Sequence, residues 1–305
     1  MTKTVTIFGG SGFVGRYIVR RLVAAGWSVR LAVRHPSNAA FLSETAGSDA
    51  VVSIKASILR DNDVRQALEG AEVVVNCVGT FDMRGSNNFV AIQNEGATRI
   101  ARSAQDLGLS RMVHLSSIGA DANSASLYSR TKAEGEAGVL QYMPDAVILR
   151  PSVIFGPEDA FFNRFATMAK FAPILPVVGA NTRFQPVFVD DVAEAAAKGV
   201  TGDAPGAIYE LGGPDVKSFG ELMQIMLHQI GKRRPVIDIP MPLARVMAFG
   251  MDGVQTLTGG LIPAQITPDQ VRSLQRDNVV ADTARTFSDL GITPTPMSEI
   301  LPGYL

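Results

Sequence analysis

The sequence predicts an α/β protein, with a doubly wound parallel sheet and a smaller, helix-rich C-terminal lobe. Short apolar runs alternate with helix-length amphipathic segments through the first half of the chain. Those runs are apolar on both faces, as strands buried between two helical layers must be. The first run also breaks into glycines and opens directly into a helical pattern.

In chain order the predicted strands are Thr4–Phe8, Ser28–Val33, Ala50–Ile54, Val73–Val78, Arg111–Ser116 and Ala146–Leu149. Val14, Ile18 and Leu22 recur every four residues and place a helix between the first two. Gly26 and Gly108 stand where a left-handed residue closes a helix. After Arg150-Pro151 the rhythm changes. Pro173, Pro176, Pro186, Pro205 and Pro214 punctuate irregular connections, with a helix over about Asp190–Val200 and a strand at Ala207–Leu211. The expected division is a nucleotide-binding domain over residues 1–155, with 184–213 returning to it. Residues 156–183 and 214–305 then form the smaller lobe, closing over the carboxyl ends of the strands, where open α/β sheets bind ligands.

The segment Val5-Thr-Ile-Phe-Gly9-Gly10-Ser11-Gly12-Phe13-Val14-Gly15-Arg16 carries the clearest chemistry. A strand turning sharply into a helix leaves backbone N–H groups at the positive helix end, a seat for a pyrophosphate. The glycines read as Gly10-x-Gly12-x-x-Gly15 or as Gly9-x-x-Gly12-x-x-Gly15. Each removes a Cβ where the turn, the ligand or the helix–strand contact needs room. Gly9, Ser11, Gly12, Phe13, Val14 and Gly15 are therefore the expected cofactor contacts at this turn.

Composition narrows the field. The 305 residues are 46% hydrophobic and 19% charged, with a formal net charge of −1. That balance gives no general attraction to nucleic acid or to an anionic membrane. The single cysteine, Cys77, excludes an internal disulfide framework and a cysteine-based metal site; lying in Val73-Val-Val-Asn-Cys77-Val-Gly79, it reads as a core thiol. His35, His114 and His228 show no metal spacing, so no metal is expected. No apolar run is long enough to span a bilayer. The first strand begins almost at Met1, which leaves no room for a signal or transit peptide, so a cytoplasmic or mature protein is expected.

Tyr128-Ser-Arg-Thr-Lys132 opens a predicted helix that runs to about Met143. Residues at i and i+4 share a helical face, so the lysine is expected to lower the phenol pKa towards the working range. Tyr128 is then a candidate proton donor or acceptor for a carbonyl or alcohol. Lys132 can also hold a nicotinamide ribose, and Ser117, at the end of the fifth strand, can orient a substrate oxygen. The alternative is a solvated tyrosine and lysine at the start of an ordinary helix.

The glycine turn, Asn76-Cys77-Val78-Gly79, Ser117, Tyr128-x-x-x-Lys132 and Arg150-Pro151-Ser152 together resemble the short-chain dehydrogenase/reductase superfamily. Gln185-Pro-Val-Phe-Val-Asp190-Asp191-Val-Ala193 resembles its extended and atypical branches, which include sugar-nucleotide epimerases. The resemblance covers almost the whole chain. It implies a Rossmann domain whose coenzyme also meets Val78, Gly79, Pro151 and Val153. A narrower likeness comes from Ile239-Pro-Met-Pro242, Leu261-Ile-Pro263, Ile266-Thr-Pro-Asp-Gln-Val271 and Arg276-Asp-Asn-Val-Val280. These are similar to the family of the 39 kDa accessory subunit of respiratory complex I and its bacterial relatives. That family implies tightly bound NADPH with a stabilising or assembly role. It also implies complex I peripheral-arm partners and a position on the cytoplasmic face of the inner membrane, or the matrix side in mitochondria.

The second strand ends in Arg34-His35 with no carboxylate for a ribose 2′-hydroxyl, so Arg34 is the expected clamp for the 2′-phosphate of NADP. Arg16 can add a phosphate contact. The superfamily carries an aspartate after strand three to bond the adenine; this chain has Ser57, which accepts the same bond. Asn94 matches a position the extended branches use near the catalytic centre, or ties helix to strand. Two functions stay open: NADPH as a structural ligand of a complex-bound subunit, or an NADPH-dependent reductase or epimerase of a small carbonyl or hydroxyl substrate using Ser117, Tyr128 and Lys132. Met241–Gly260, rich in methionine and other apolar residues and charged only at Arg245 and Asp252, reads as a partner surface, a pocket wall or core. Its lone charges leave it without a basic face, which argues against a membrane-surface helix.

Overall fold

The computed structural model describes residues 3–39, 41–42, 50–81, 85–248 and 267–305. Six strands come from the first half of the chain: β1 (Thr4–Phe8), β2 (Ser28–Val33), β3 (Val51–Lys55), β4 (Val73–Asn76), β5 (Arg111–Leu115) and β6 (Val147–Pro151). A seventh, β11 (Ile208–Leu211), adds beside β6. The order is β11-β6-β5-β4-β1-β2-β3, and every pairing is parallel. The order reverses between β1 and β4, which opens a crevice at their carboxyl ends.

The two-sided apolar character of the strands is used in full. Val5, Ile7, Leu31, Val73, Val75 and Val113 face one layer, where they pack on Ile18 and Leu22 of α1 (Phe13–Ala24) and Val192, Ala196 and Val200 of α6 (Val189–Thr201). Phe8, Ala32, Val74 and Met112 face the other. There they meet Val64 and Leu68 of α2 (Asp61–Leu68), Ile100 of α3 (Gly96–Asp106) and Val139 of α4 (Leu127–Tyr142). Gly26 and Gly108 end α1 and α3 in the left-handed conformation. β4 stops two residues short of the predicted Val78, because Asn76 Oδ1 turns back to accept from Val78 N–H at 3.1 Å. Asp190 and Asp191 serve the architecture. Asp190 makes two 2.8 Å bonds with Arg21, and buried Asp191 accepts from Thr295 N–H and Oγ1 at 2.6 and 2.9 Å.

The smaller lobe is assembled from paired short strands: β7 (Ile154–Phe155) with β10 (Val187–Phe188), β8 (Leu175–Val178) with β13 (Val236–Ile239), and β9 (Arg183–Phe184) with β12 (Lys217–Ser218). Phe162 of α5 (Phe162–Phe171), Leu222 and Met226 of α7 (Phe219–Gln229) and Met297 of α9 (Met297–Ile300) fill its core around Phe155 and Leu175. The last segment, after α8 (Pro268–Ser273), crosses both parts, with Asn278 bridged to Phe184 and Arg285 to Tyr209. Residues 241–248 are helical. The rest of Met241–Gly260, with Leu261-Ile262-Pro263 and Ile266, lies outside the described residues. No described helix is long and apolar enough to cross a membrane.

Candidate active site

The glycine turn builds the crevice floor. Gly9 sits at φ 80°, and a Cβ there would stand 3.0 Å from the Cys77 carbonyl carbon and the Val78 nitrogen. A Cβ at Gly15 would run into the Gly9 carbonyl oxygen and lie 2.6 Å from Gly10 Cα, so helix and turn touch only because both lack side chains. Gly12 caps the start of α1 with no side chain, and the first turn holds no acidic residue, which leaves the positive helix end open to an anion. The cavity above it, about 330 Å³, is lined by Gly9, Ser11, Gly12, Arg34, Ser57, Val78 and Gly79 among others. Arg34 is exposed on its rim, with Nη1 3.3 Å from Asn87 Oδ1. Ser57 Oγ accepts from Leu59 N–H at 3.3 Å. Asp63 accepts from Ser57 N–H at 2.9 Å and so shapes the turn, without lining the cavity. The uncapped helix end and the glycine cradle fit the diphosphate of a dinucleotide.

A second cavity, about 800 Å³, opens between sheet and lobe and is lined by Phe13, Ser116, Ser117, Tyr128, Pro151 and Val153 among others. The hydroxyl oxygens of Ser116 and Ser117 are buried with no hydrogen-bond partner among the described residues. Buried hydroxyls left unpaired are costly unless a ligand supplies the bond. Half-buried Tyr128 stacks flat on Phe81, with ring centroids 5.2 Å apart, and meets the edge of Phe89 at 5.7 Å. Burial raises the phenol pKa. The Ser117 hydroxyl beside it pulls the other way, although no full hydrogen bond joins them.

Lys132 departs from its expected coupling. Its Nζ donates to the Leu115 carbonyl oxygen, the last of β5, at 3.0 Å, and the side chain is buried. Burial lowers its pKa to about 8, with Glu136 opposing. Its charge acts on Cys77 and His114 rather than on Tyr128, whose pKa is set by burial and Ser117. The i, i+4 spacing fixes only where the two side chains start; a buried ammonium goes to the acceptor it can reach. Burial pushes the Cys77 thiol up to about 12, which keeps it protonated and unreactive.

Three other candidates have packing or partners of their own. Val14 packs into the sheet core and lines neither cavity, since its side chain points to the strands. Arg16 turns to Glu158, with Nη1 3.4 Å from Oε1. Asn94 Nδ2 donates to Glu134 Oε2 at 2.8 Å on the surface. Its neighbour Gln93 is buried instead, in a π turn over Val90–Glu95, and holds both Thr80 O and Thr131 Oγ1. The sequence reading also missed Asp269 of α8. Its carboxylate accepts from Ser126 Oγ, Leu127 N–H and Tyr128 N–H at 2.8, 2.7 and 3.1 Å, capping α4 from the other lobe. A capping box at Thr267 and Gln270 marks that turn in sequence, but not its target.

Residues 5–212 match the NAD dependent epimerase/dehydratase family. The chain belongs to that family. Among curated relatives it is 33% identical to NADH dehydrogenase [ubiquinone] 1 alpha subcomplex subunit 9, mitochondrial, of Arabidopsis thaliana, over 95% of this chain and 74% of that one. It is 30% identical to ceramide reductase of Caulobacter vibrioides, over 83% and 79% respectively. Among solved structures, that of gox2253 superposes with a TM-score of 0.73 at 20% identity, over 99% and 97% of the two chains, a likeness of fold.

Proposed function

We propose that this family member binds NADPH tightly as a structural ligand, and that it stabilises or assembles the peripheral arm of an NADH:quinone oxidoreductase. The observation that carries the reading is the near end-to-end similarity to a complex I subunit. The site supports it. The phenol of Tyr128 is held on Phe81 with a raised pKa, and the Lys132 ammonium is committed to a backbone carbonyl. A ligand held far above its dissociation constant adds several kcal/mol to the folded state, at about 4 kcal/mol for a thousandfold excess. That is reason enough to keep a coenzyme without turnover. On this reading Arg34 holds the 2′-phosphate, and Ser57, Val78, Gly79, Pro151 and Val153 line the rest of the coenzyme.

The two unpaired hydroxyls of Ser116 and Ser117 support a second reading, and the 30% identical ceramide reductase does too. In it the chain is an NADPH-dependent reductase. The coenzyme, when bound, supplies hydride. Ser117 holds the substrate oxygen and Tyr128 donates the proton.

Complementation of a deletion strain separates the two readings. Under the first, Tyr128→Phe restores complex I assembly on native gels and keeps its coenzyme, as the wild type does. A deletion that leaves complex I assembly intact, with the chain migrating alone, overturns that reading.

A further inference from the structure

The outer face of the small lobe is apolar where a surface is ordinarily polar. β8 and β13 pair with Ile237 opposite Pro176 and Ile239 opposite Val178. Alternation along the strands sends Leu175 and Val177 into the lobe core and turns Pro176, Val178, Ile237 and Ile239 outward. The helix over 241–248 lies on that outer face. Ala244 and Ala248 are buried there with Val178, and Met241 and Ile239 pack against them. Its opposite stripe is Leu243, Val246 and Met247, spaced i, i+3, i+4 and exposed by 52%, 70% and 41%. A helix that buries alanines and shows Leu, Val and Met to solvent inverts the usual surface pattern. Phe171 (86% exposed) at the end of α5, Ile174 just before β8 and Ile237 of β13 are exposed apolar residues as well.

Cations lie on the same stretches of chain. Lys170, Lys232, Arg233 and Arg245 are exposed, and Arg234 Nε donates to Ala169 O at 3.3 Å, which ties the basic turn to the end of α5 beside Phe171. Over residues 168–178 and 230–248 these five cations face one carboxylate, Asp238, which accepts from Ala180 N–H at 3.1 Å. The formal excess is four positive charges, in a chain of net charge −1. The helix alone has no basic face; α5 and the 232–234 turn supply one.

We propose that this face docks the protein on an anionic membrane surface. Phe171, Ile174, Leu243 and Val246 enter the headgroup boundary while the basic residues meet lipid phosphates. Apolar insertion and electrostatic attraction act together on such faces, and the excess of cations complements anionic headgroups. The inference does not depend on whether the coenzyme is structural or catalytic.

Sedimentation of the full chain with vesicles tests it, using phosphatidylcholine alone or mixed equally with phosphatidylglycerol. The expected result is co-sedimentation with the mixed vesicles, weakened by salt, and at least about tenfold weaker binding for Leu243→Asp/Val246→Asp. Lys232→Glu/Arg233→Glu, at exposed turn positions, should lose the preference for mixed over neutral vesicles; both variants are first checked for a wild-type melting transition. A chain that stays in the supernatant with both compositions overturns the proposal, as does either folded variant binding like the wild type. So does a wild-type dimer in analytical ultracentrifugation that Val246→Asp splits while vesicles bind neither form.

Discussion

His114 offers the sharpest test of how the crevice is built. It lies buried in β5, and Asn76 Nδ2 stands 3.1 Å from its Nδ1. Asn76 Oδ1 is taken by Val78 N–H, so the amide presents its NH₂ to the imidazole and Nδ1 must accept. Protonation at Nδ1 breaks that bond and puts a charge beside Lys132 in a buried site. Burial and the lysine accordingly lower the His114 pKa from 6.5 to about 3. The folded state binds fewer protons than the unfolded one across that interval. Stability that is full above pH 6.5 therefore drains as pH falls towards 3. At pH 5 the loss from this one group is about 2 kcal/mol, a sizeable part of the roughly 5–15 kcal/mol of an ordinary protein. With a urea m-value of about 3 kcal/mol/M, the midpoint should fall by roughly 0.7 M between pH 7 and pH 5 beyond what the carboxylates contribute. His114→Gln should remove that extra slope, and NMR should show the ring neutral down to pH 5. Equal stability losses in wild type and variant would refute the reasoning, as would a titration near 6.5.

Two further substitutions probe the frame. Gly15→Ala forces a methyl against the Gly9 carbonyl and Gly10, so it should cost about 1–3 kcal/mol in thermal unfolding and weaken NADPH binding together. Asp269→Ala removes three bonds from the start of α4 and should cost about 1–2 kcal/mol, with amide exchange accelerated at Leu127 and Tyr128 but not in α1. Unchanged exchange at those amides would mean the lobe does not hold the helix.

The strands and helices of the sheet were legible because each obeys one local rule: runs apolar on both faces, a period of four in α1, and a glycine to end it. The crevice was legible for a related reason, since the turn over Gly9–Gly15 and the strand ends at Arg34 and Val78 are local features read in order. The small lobe was not. Its strands are two to four residues long and pair across distances such as Leu175 to Val236, so no window of sequence holds both partners. Contacts made by side-chain ends were equally hidden. Lys132 reaches the last carbonyl of β5 rather than Tyr128, and Ser116, Phe81 and Asp269 join the site through folding alone. The basic residues near the 241–248 helix belong with these, because four of the five come from two other elements.

Calorimetric titration of NADPH and NADH into the wild-type chain and Arg34→Asp tests the account most directly. A charge-assisted bidentate clamp contributes about 1.5–3 kcal/mol, so the wild type should hold NADPH roughly tenfold or more tighter than NADH, and Arg34→Asp should erase that preference. Equal affinities in the wild type, or no heat with either dinucleotide, would contradict it.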